Sequence, residues 1–223
     1  MLPATLEIAG EQLLLHPYRA LFWARMRWLI VADLHLGKAA HFRKAGIPLP
    51  EGSDQATLAR LDRSIAEFRP ERLILLGDLF HSVHNRQWET FAAWCKAQEI
   101  AIHLVMGNHD ILADRRYEDA CLNVHTDTIE EGPFVFTHEP ADRPGTYVIS
   151  GHVHPGVKLE ALVHGSMRMP CFLFGEKQAL LPAFGTNTGL FIMKPSITDR
   201  VFAVTDRAVL DVSSGLERAR QRS

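Results

Sequence analysis

A chain of 223 residues is long enough for one α/β domain with a full hydrophobic core and too short for two large domains and a linker. At 47% apolar and 22% charged it has globular composition, which excludes global disorder, a collagen-like repeat and a coiled coil. Its 24 Lys and Arg nearly balance 26 Asp and Glu, so affinity for nucleic acid has to come from locally clustered cations rather than net charge.

Alternating apolar positions at Leu6, Ile8, Leu13 and Leu15, then Leu21 to Ala24, predict short antiparallel strands at a sheet edge. Trp28 to Ala32 is instead a continuous apolar run that ends abruptly in Asp33, the pattern of a strand buried on both faces with polar function at its C-terminal end. Residues 37 to 45 predict a short helix ending at Gly46, with Pro48 and Pro50 beyond it. A second helix is expected from an N-cap at Ser53 through Leu58, Leu61, Ile65 and Phe68 to a stop at Pro70. Leu73 to Leu76 before Gly77 and Asp78, and Ile102 to Val105 before Gly107 and Asn108, repeat the buried-strand design. Three such strands deliver their polar loops to one rim. Between the last two, Trp88, Phe91, Trp94 and Cys95 form the apolar stripe of a helix, read as core packing.

After Pro133 the texture is β-rich, with runs at Phe134 to Phe136, Tyr147 to Ile149, Cys171 to Phe174, Leu190 to Ile192 and Val201 to Val204. The whole predicts two stacked mixed sheets with helices outside. One domain is expected over residues 1–213, followed by a charged tail, 214–223, that frays. Cys95, Cys121 and Cys171 have no CxxC spacing, which fits a reducing cytoplasm rather than a disulfide framework. The N-terminus has no basic residue ahead of its modest apolar content, and no stretch approaches 18 consecutive apolar residues, so neither export nor membrane association is expected.

Function is written in the 12 histidines. Five segments can supply metal ligands: Asp33-Leu34-His35, Gly77-Asp78, Gly107-Asn108-His109-Asp110, Thr137-His138 and Gly151-His152-Val153-His154. Any one of them is common turn chemistry. Together, in this order and mostly at the ends of apolar runs, they predict a centre for two divalent cations held ~3.5–4 Å apart. Asp78 is assigned as the bridge, with Asp33, His35 and His154 completing one site and Asn108, His138 and His152 the other. Hard oxygens with imidazole nitrogens suit manganese, iron or zinc, and the two aspartates leave the centre positive, as an anionic substrate requires.

These segments resemble the D-x-H, G-D, G-N-H-[DE], H and G-H-x-H motifs of the calcineurin-like metallophosphoesterases. The resemblance implies a four-layer α/β/β/α sandwich and the ligand set above. Many members read G-D-x-x-D where this chain has Gly77-Asp78-Leu79-Phe80-His81, a form also found in repair nucleases of the superfamily. The stretch from Val31 to Lys38, continued through Ala39 to Pro48, is similar to the ligase-associated DNA damage response endonuclease family PdeM. That likeness implies a Mn²⁺-dependent single-strand DNA endonuclease in DNA repair, functionally associated with a DNA ligase and a helicase.

Hydroxide formed between two cations attacks a clamped phosphate directly, without a phosphoenzyme. His109 is expected to protonate the leaving oxygen, and Asp110 to orient the His109 imidazole. His81 and His84 follow Asp78 closely enough to touch substrate or ligands, whereas His16, His103, His125 and His164 read as ordinary histidines. Lys38, Arg43, Lys44, Arg86, Arg115 and Arg116 follow the metal loops and favour a polyanion. The alternative on the same scaffold is a small-molecule phosphatase, cyclic-nucleotide phosphodiesterase or nucleotide-sugar pyrophosphatase. Lipid-A pathway pyrophosphatases have Arg after the Asn of the third motif, where this chain has His109. A degenerate protein-binding module would have lost ligands that are present here.

Overall fold

In the computed structural model, Trp28, Ile30 and Ala32 of strand β4 (Trp28–Ala32) point into one apolar cluster and Leu29 and Val31 into another, so this strand is buried on both faces. The structure describes residues 1–38, 42, 46, 52–80, 86–112, 114–160, 165–186 and 188–220. The period of two repeats in β5 (Arg72–Leu76), where Ile74 and Leu76 share the first cluster and Leu73 and Leu75 the second. β6 (Ala101–Val105) and β7 (Leu122–His125) extend the parallel ladder from β5. On the other side of β4 the antiparallel strands β1 (Ala4–Ile8), β2 (Glu11–His16) and β3 (Ala20–Trp23) complete a seven-stranded sheet. In-register pairing of Ala32 with Leu76, and of Leu76 with Val105, brings the C-terminal ends of three strands to one rim.

The second sheet has nine strands: β8 (Thr128–Glu131), β9 (Phe134–Thr137), β10 (Tyr147–Ser150), β11 (Pro155–Glu160), β12 (Ser166–Phe174), β13 (Gln178–Leu180), β14 (Phe191–Ile192), β15 (Arg200–Val204) and β16 (Val209–Asp211). Its spatial order is β14-β11-β12-β13-β10-β9-β8, with β15 on β12 and β16 on β15. Several strands were not foreseen, since β7 of the first sheet and β8, β13 and β16 of the second are three or four residues long, too short to establish a period. Trp23, Trp28, Phe134, Phe136, Phe172 and Phe202 fill the space between the sheets, each side chain contributing roughly 1.5–3 kcal/mol by burial.

Helices α1 (Ser53–Phe68), α2 (Arg86–Lys96) and α3 (Asp114–Asp119) cover the outer face of the first sheet through Leu58, Leu61, Trp88, Phe91, Cys95 and Tyr117. The cap of α1 is Gly52, at φ 84°, and not Ser53, which is already helical and makes no capping bond. Glycine reaches that left-handed conformation without steric penalty. The last turn ends at Arg69, also left-handed, ahead of Pro70. The helix expected over residues 37–45 lies mostly outside the described residues.

Helix α4 (Ser213–Arg220) stands where a fraying tail was expected, and its Leu216 packs on the outer face of the second sheet beside Val157, Cys171 and Val201. Leu216, the one large aliphatic residue in an otherwise polar and charged segment, finds its partners only in the folded sheet. The architecture is the four-layer α/β/β/α sandwich. No described helix is long and apolar enough to cross a membrane.

Candidate metal centre

Both sheets deliver candidate site residues to the shared rim. Asp33 and His35 follow β4, Asp78 follows β5, Asn108 and His109 follow β6, His138 follows β9, and His152 and His154 follow β10. Five of these residues hold left-handed backbone: Asp33 at φ 55°, His35 at 47°, Asp78 at 48°, His152 at 66° and His154 at 53°. Each costs about 1–3 kcal/mol for a residue with a Cβ, so the rim is strained and the surrounding fold imposes it.

Two triads result. Asp33, His35 and His154 form one and Asp78, His138 and His152 the other, and within each triad one ligand atom per residue lies within 4.8 Å of the rest. In the first, His35 Nε2 is 3.0 Å from His154 Nε2, and His154 Nε2 is 3.7 Å from Asp33 Oδ1. In the second, His138 Nε2 is 3.0 Å from His152 Nδ1 and 3.4 Å from Asp78 Oδ1. Asp78 joins them, its Oδ2 lying 3.8 Å from His35 Nε2 while Oδ1 faces His138.

These spacings fit metal ions. Donors at ~2.1 Å from a transition metal lie about 3.0 Å apart at right angles and about 3.4 Å apart in a tetrahedron. The tautomer of His138 fits as well, because its Nδ1–H donates to the Leu76 carbonyl at 3.1 Å and leaves Nε2 as a lone pair aimed at the triad. Burial pushes the Asp33 carboxyl above its ordinary range; His154 and His138 oppose the shift and neighbouring Asp78 adds to it. A buried carboxyl raised in this way, with a second carboxylate beside it, marks a site short of positive charge.

The surroundings hold the ligands in place. Asp33 accepts the His152 N–H at 3.1 Å on Oδ1 and 2.9 Å on Oδ2, tying the two halves of the rim together. Gly77 and Gly107 let their loops touch: a Cβ on Gly77 would collide with the His138 ring, and one on Gly107 would lie 2.7 Å from Asp78 Oδ1. Behind Asp33, the segment after β13 crosses to the first sheet through Phe184 N–H on the Ala32 carbonyl and Gly185 N–H on the Asp33 carbonyl. Arg19 and Arg60 clamp that segment by donating to the carbonyls of Ala183, Gly185 and Phe184. Burial lowers the Arg60 guanidinium to about 10.

Asp110 binds the backbone of two loops. Its Oδ1 accepts the Leu79 N–H and its Oδ2 the Gly107 N–H, both at 2.9 Å, so this buried side chain fastens the second loop to the third. Burial pushes its carboxyl up to about 7, against the pull of those two N–H groups. The turn needs these acceptors, because an orphan buried N–H costs about 1–3 kcal/mol.

His109 is exposed, and its backbone N–H is anchored on Asp78 Oδ1 at 3.2 Å. Asn108 is exposed beside it and donates from Nδ2 to Glu139 Oε1 at 2.7 Å. That bond, with His152 nearby, holds the Glu139 carboxyl below its usual range. Glu139 was missed in the sequence; its position directly after His138 was the available signal.

His81, His84, Arg43, Lys44 and His164 lie outside the described residues. Lys38 is half-buried, desolvated but within the field of Asp78 and Asp33. His16 is buried against Glu67, and His103 pairs with His125, away from the ligands.

The family model for calcineurin-like phosphoesterases matches residues 26–141, just over half of the chain. The crystal structure of the nuclease MPE of Pseudomonas putida is similar at 34% identity over 90% of this chain and 96% of that one, with a TM-score of 0.79. The chain belongs to the calcineurin-like phosphoesterase family. This phosphoesterase is also similar to a protein of unknown function from Aquifex aeolicus, at 21% identity over 57% of this chain and 78% of that one (TM-score 0.42). A phosphoesterase from E. coli is 15% identical over 83% of this chain and 98% of that one (TM-score 0.43). No curated protein matches. The phosphoesterase is a metal-dependent hydrolase.

Proposed function

We propose that this phosphoesterase hydrolyses phosphodiester bonds in nucleic acid, as a Mn²⁺-dependent single-strand DNA endonuclease acting in repair alongside a DNA ligase and a helicase. The observation that carries the hydrolytic reading is the pair of triads converging on Asp78; the nucleic-acid reading is supported by the likeness to the P. putida nuclease. Asp33, His35 and His154 would hold one cation and Asn108, His138 and His152 the other, with Asp78 placed between the two triads. Two bound cations supply Lewis acidity toward the phosphate and lower the pKa of water so that hydroxide exists near neutrality.

The protein's own groups do the rest. The backbone bond from His109 to Asp78 fixes where the exposed imidazole stands, beside the ligands and open to substrate. From there His109 gives its proton to the departing alkoxide. Half-buried Lys38 contributes a cation at the first loop and draws in the charged diester.

The test uses metal-stripped protein and protein restored with Mn²⁺, assayed on a bis-aryl phosphodiester, an aryl phosphomonoester and single-stranded circular DNA. Diester hydrolysis and nicking return with Mn²⁺, and Asp78→Asn abolishes both. Activity confined to the monoester refutes the proposal.

A further inference from the structure

The loop that carries His152 and His154 runs directly into β11, and the strand directions send β11 beyond the rim. β13 is parallel to β10, β12 is antiparallel to β13, and β11 is antiparallel to β12. β11 therefore continues in the direction in which β10 arrives at the metal loop. The register sets the height: Ser150, the last residue of β10, pairs with Leu180, which pairs with Leu173 of β12. Arg168 stands five residues before Leu173 in β12, which runs opposite to β10, so it lies about 16 Å past the rim at ~3.3 Å per residue.

The face is set by alternation. Phe172 and Phe174 of β12 point into the core between the sheets, whereas Cys171 and Leu173 point into the outer cluster. The same period carries Arg168, with its partner Lys158 on β11, onto the inter-sheet face, two and three strands to the side of β10, about 10–14 Å at ~4.8 Å per strand. Lys158 and Arg168 are directly opposite each other and exposed. Like charges in that relation repel and destabilise a hairpin, and among the described residues neither makes an ion pair. One step further out, on the same face, exposed Glu160 pairs with Ser166.

We infer that the β11–β12 arm is a rest for the sugar-phosphate backbone of a single nucleic acid strand, with Lys158 and Arg168 binding phosphates a few nucleotides from the one held at the metal centre. A polyanion is the occupant that turns the repulsion of an opposed cation pair into attraction, and a strand long enough to reach from the metals to the arm is the polyanion that the position selects. The inference rests on the nucleic-acid reading of the metal centre, and it adds a length requirement: a dinucleotide reaches the metals without reaching the arm.

The experiment compares wild type, the double variant Lys158→Ala/Arg168→Ala, and Glu160→Lys, all with Mn²⁺, on a long single-stranded oligonucleotide and on a bis-aryl phosphodiester. Each lost phosphate contact removes about 0.7 from the slope of log affinity against log salt, so the double variant loses about 1.4 from the slope and roughly 25-fold in KM for DNA at 0.1 M salt. Its bis-aryl hydrolysis stays at the wild-type rate, which also reports an intact fold and centre. Glu160→Lys lowers the KM for DNA and steepens the salt slope, and it decides the matter alone if the double variant does not fold. Equal KM and equal slopes in wild type and variants overturn the arm while leaving the nuclease reading intact. A wild type that hydrolyses the bis-aryl diester but neither binds nor nicks DNA overturns both.

Discussion

Gly151→Ala isolates the steric closeness on which the centre depends. Gly151 is outside the left-handed region, so its backbone conformation is open to alanine and space alone is at issue. A Cβ there would lie 2.6 Å from Ala32 Cβ, 2.7 Å from Asp33 Oδ2 and 3.2 Å from the Leu76 carbonyl. Relaxed carbon contacts are about 3.5–4.0 Å, so roughly 1 Å of overlap has to be relieved by moving Asp33 or the loop that carries His152 and His154. Overpacking of this kind costs about 1–3 kcal/mol. Separating Asp33 from the His152 N–H, a bond of 2.9 Å to a buried carboxyl, adds about 1–3 kcal/mol. For a chain of this length the sum lowers the melting temperature by roughly 10 °C, measured by circular dichroism on metal-free protein. Mn²⁺ titration of the same sample shows weakened binding, because Asp33 and both loop histidines shift together. Adding Ala32→Gly removes the nearest obstacle and recovers part of the loss. A Gly151→Ala protein melting within about 2 °C of wild type, with unaltered metal affinity, refutes the close-packed rim.

Two further predictions follow from the hydrogen bonds. Glu139 accepts from Asn108 Nδ2 and so presents the amide oxygen, not the nitrogen, as the free end of that side chain. Glu139→Ala therefore weakens metal binding about 10–100-fold with little change in melting temperature, read by calorimetric titration, and Glu139→Asp restores part of it; full affinity in Glu139→Ala would show that Asn108 needs no such partner. His103 lies with its Nδ1 3.0 Å from His125 Nε2, and burial, then His125 and Arg72, lower it to about 4 from an ordinary 6.5. The folded state thus binds fewer protons than the unfolded state between those values, and stability is lost as pH falls through that window. His103→Gln loses less melting temperature than wild type between pH 7 and pH 4.5, and an equal or greater loss would contradict the assignment.

The residues of the two triads and their order were legible in the sequence because metal chemistry demands particular atoms and because apolar runs place those atoms at strand ends. Asp33, Asp78 and Asn108 each follow four or five apolar or strand-forming residues, and the composition of β4, β5 and β6 leaves little choice but a doubly buried parallel sheet. The same local logic failed at Ser53, where the preceding glycine took the cap, and at Leu216, whose partners are distant in the chain. The bonds from Leu79 and Gly107 to Asp110 were equally invisible, since those N–H groups share an acceptor only once two loops meet.

What the linear order of residues decided, then, was which side-chain types stand at the strand ends and the class of fold that carries them. Only the tertiary structure decided which atoms face each other: the left-handed backbone at five rim residues, the bond from Glu139 to Asn108, and the rise of β11 and β12 past the metals. Those features are set by pairing and packing between segments tens of residues apart. Periodicity along the chain describes each segment's own faces and is silent about the partner that each face will meet.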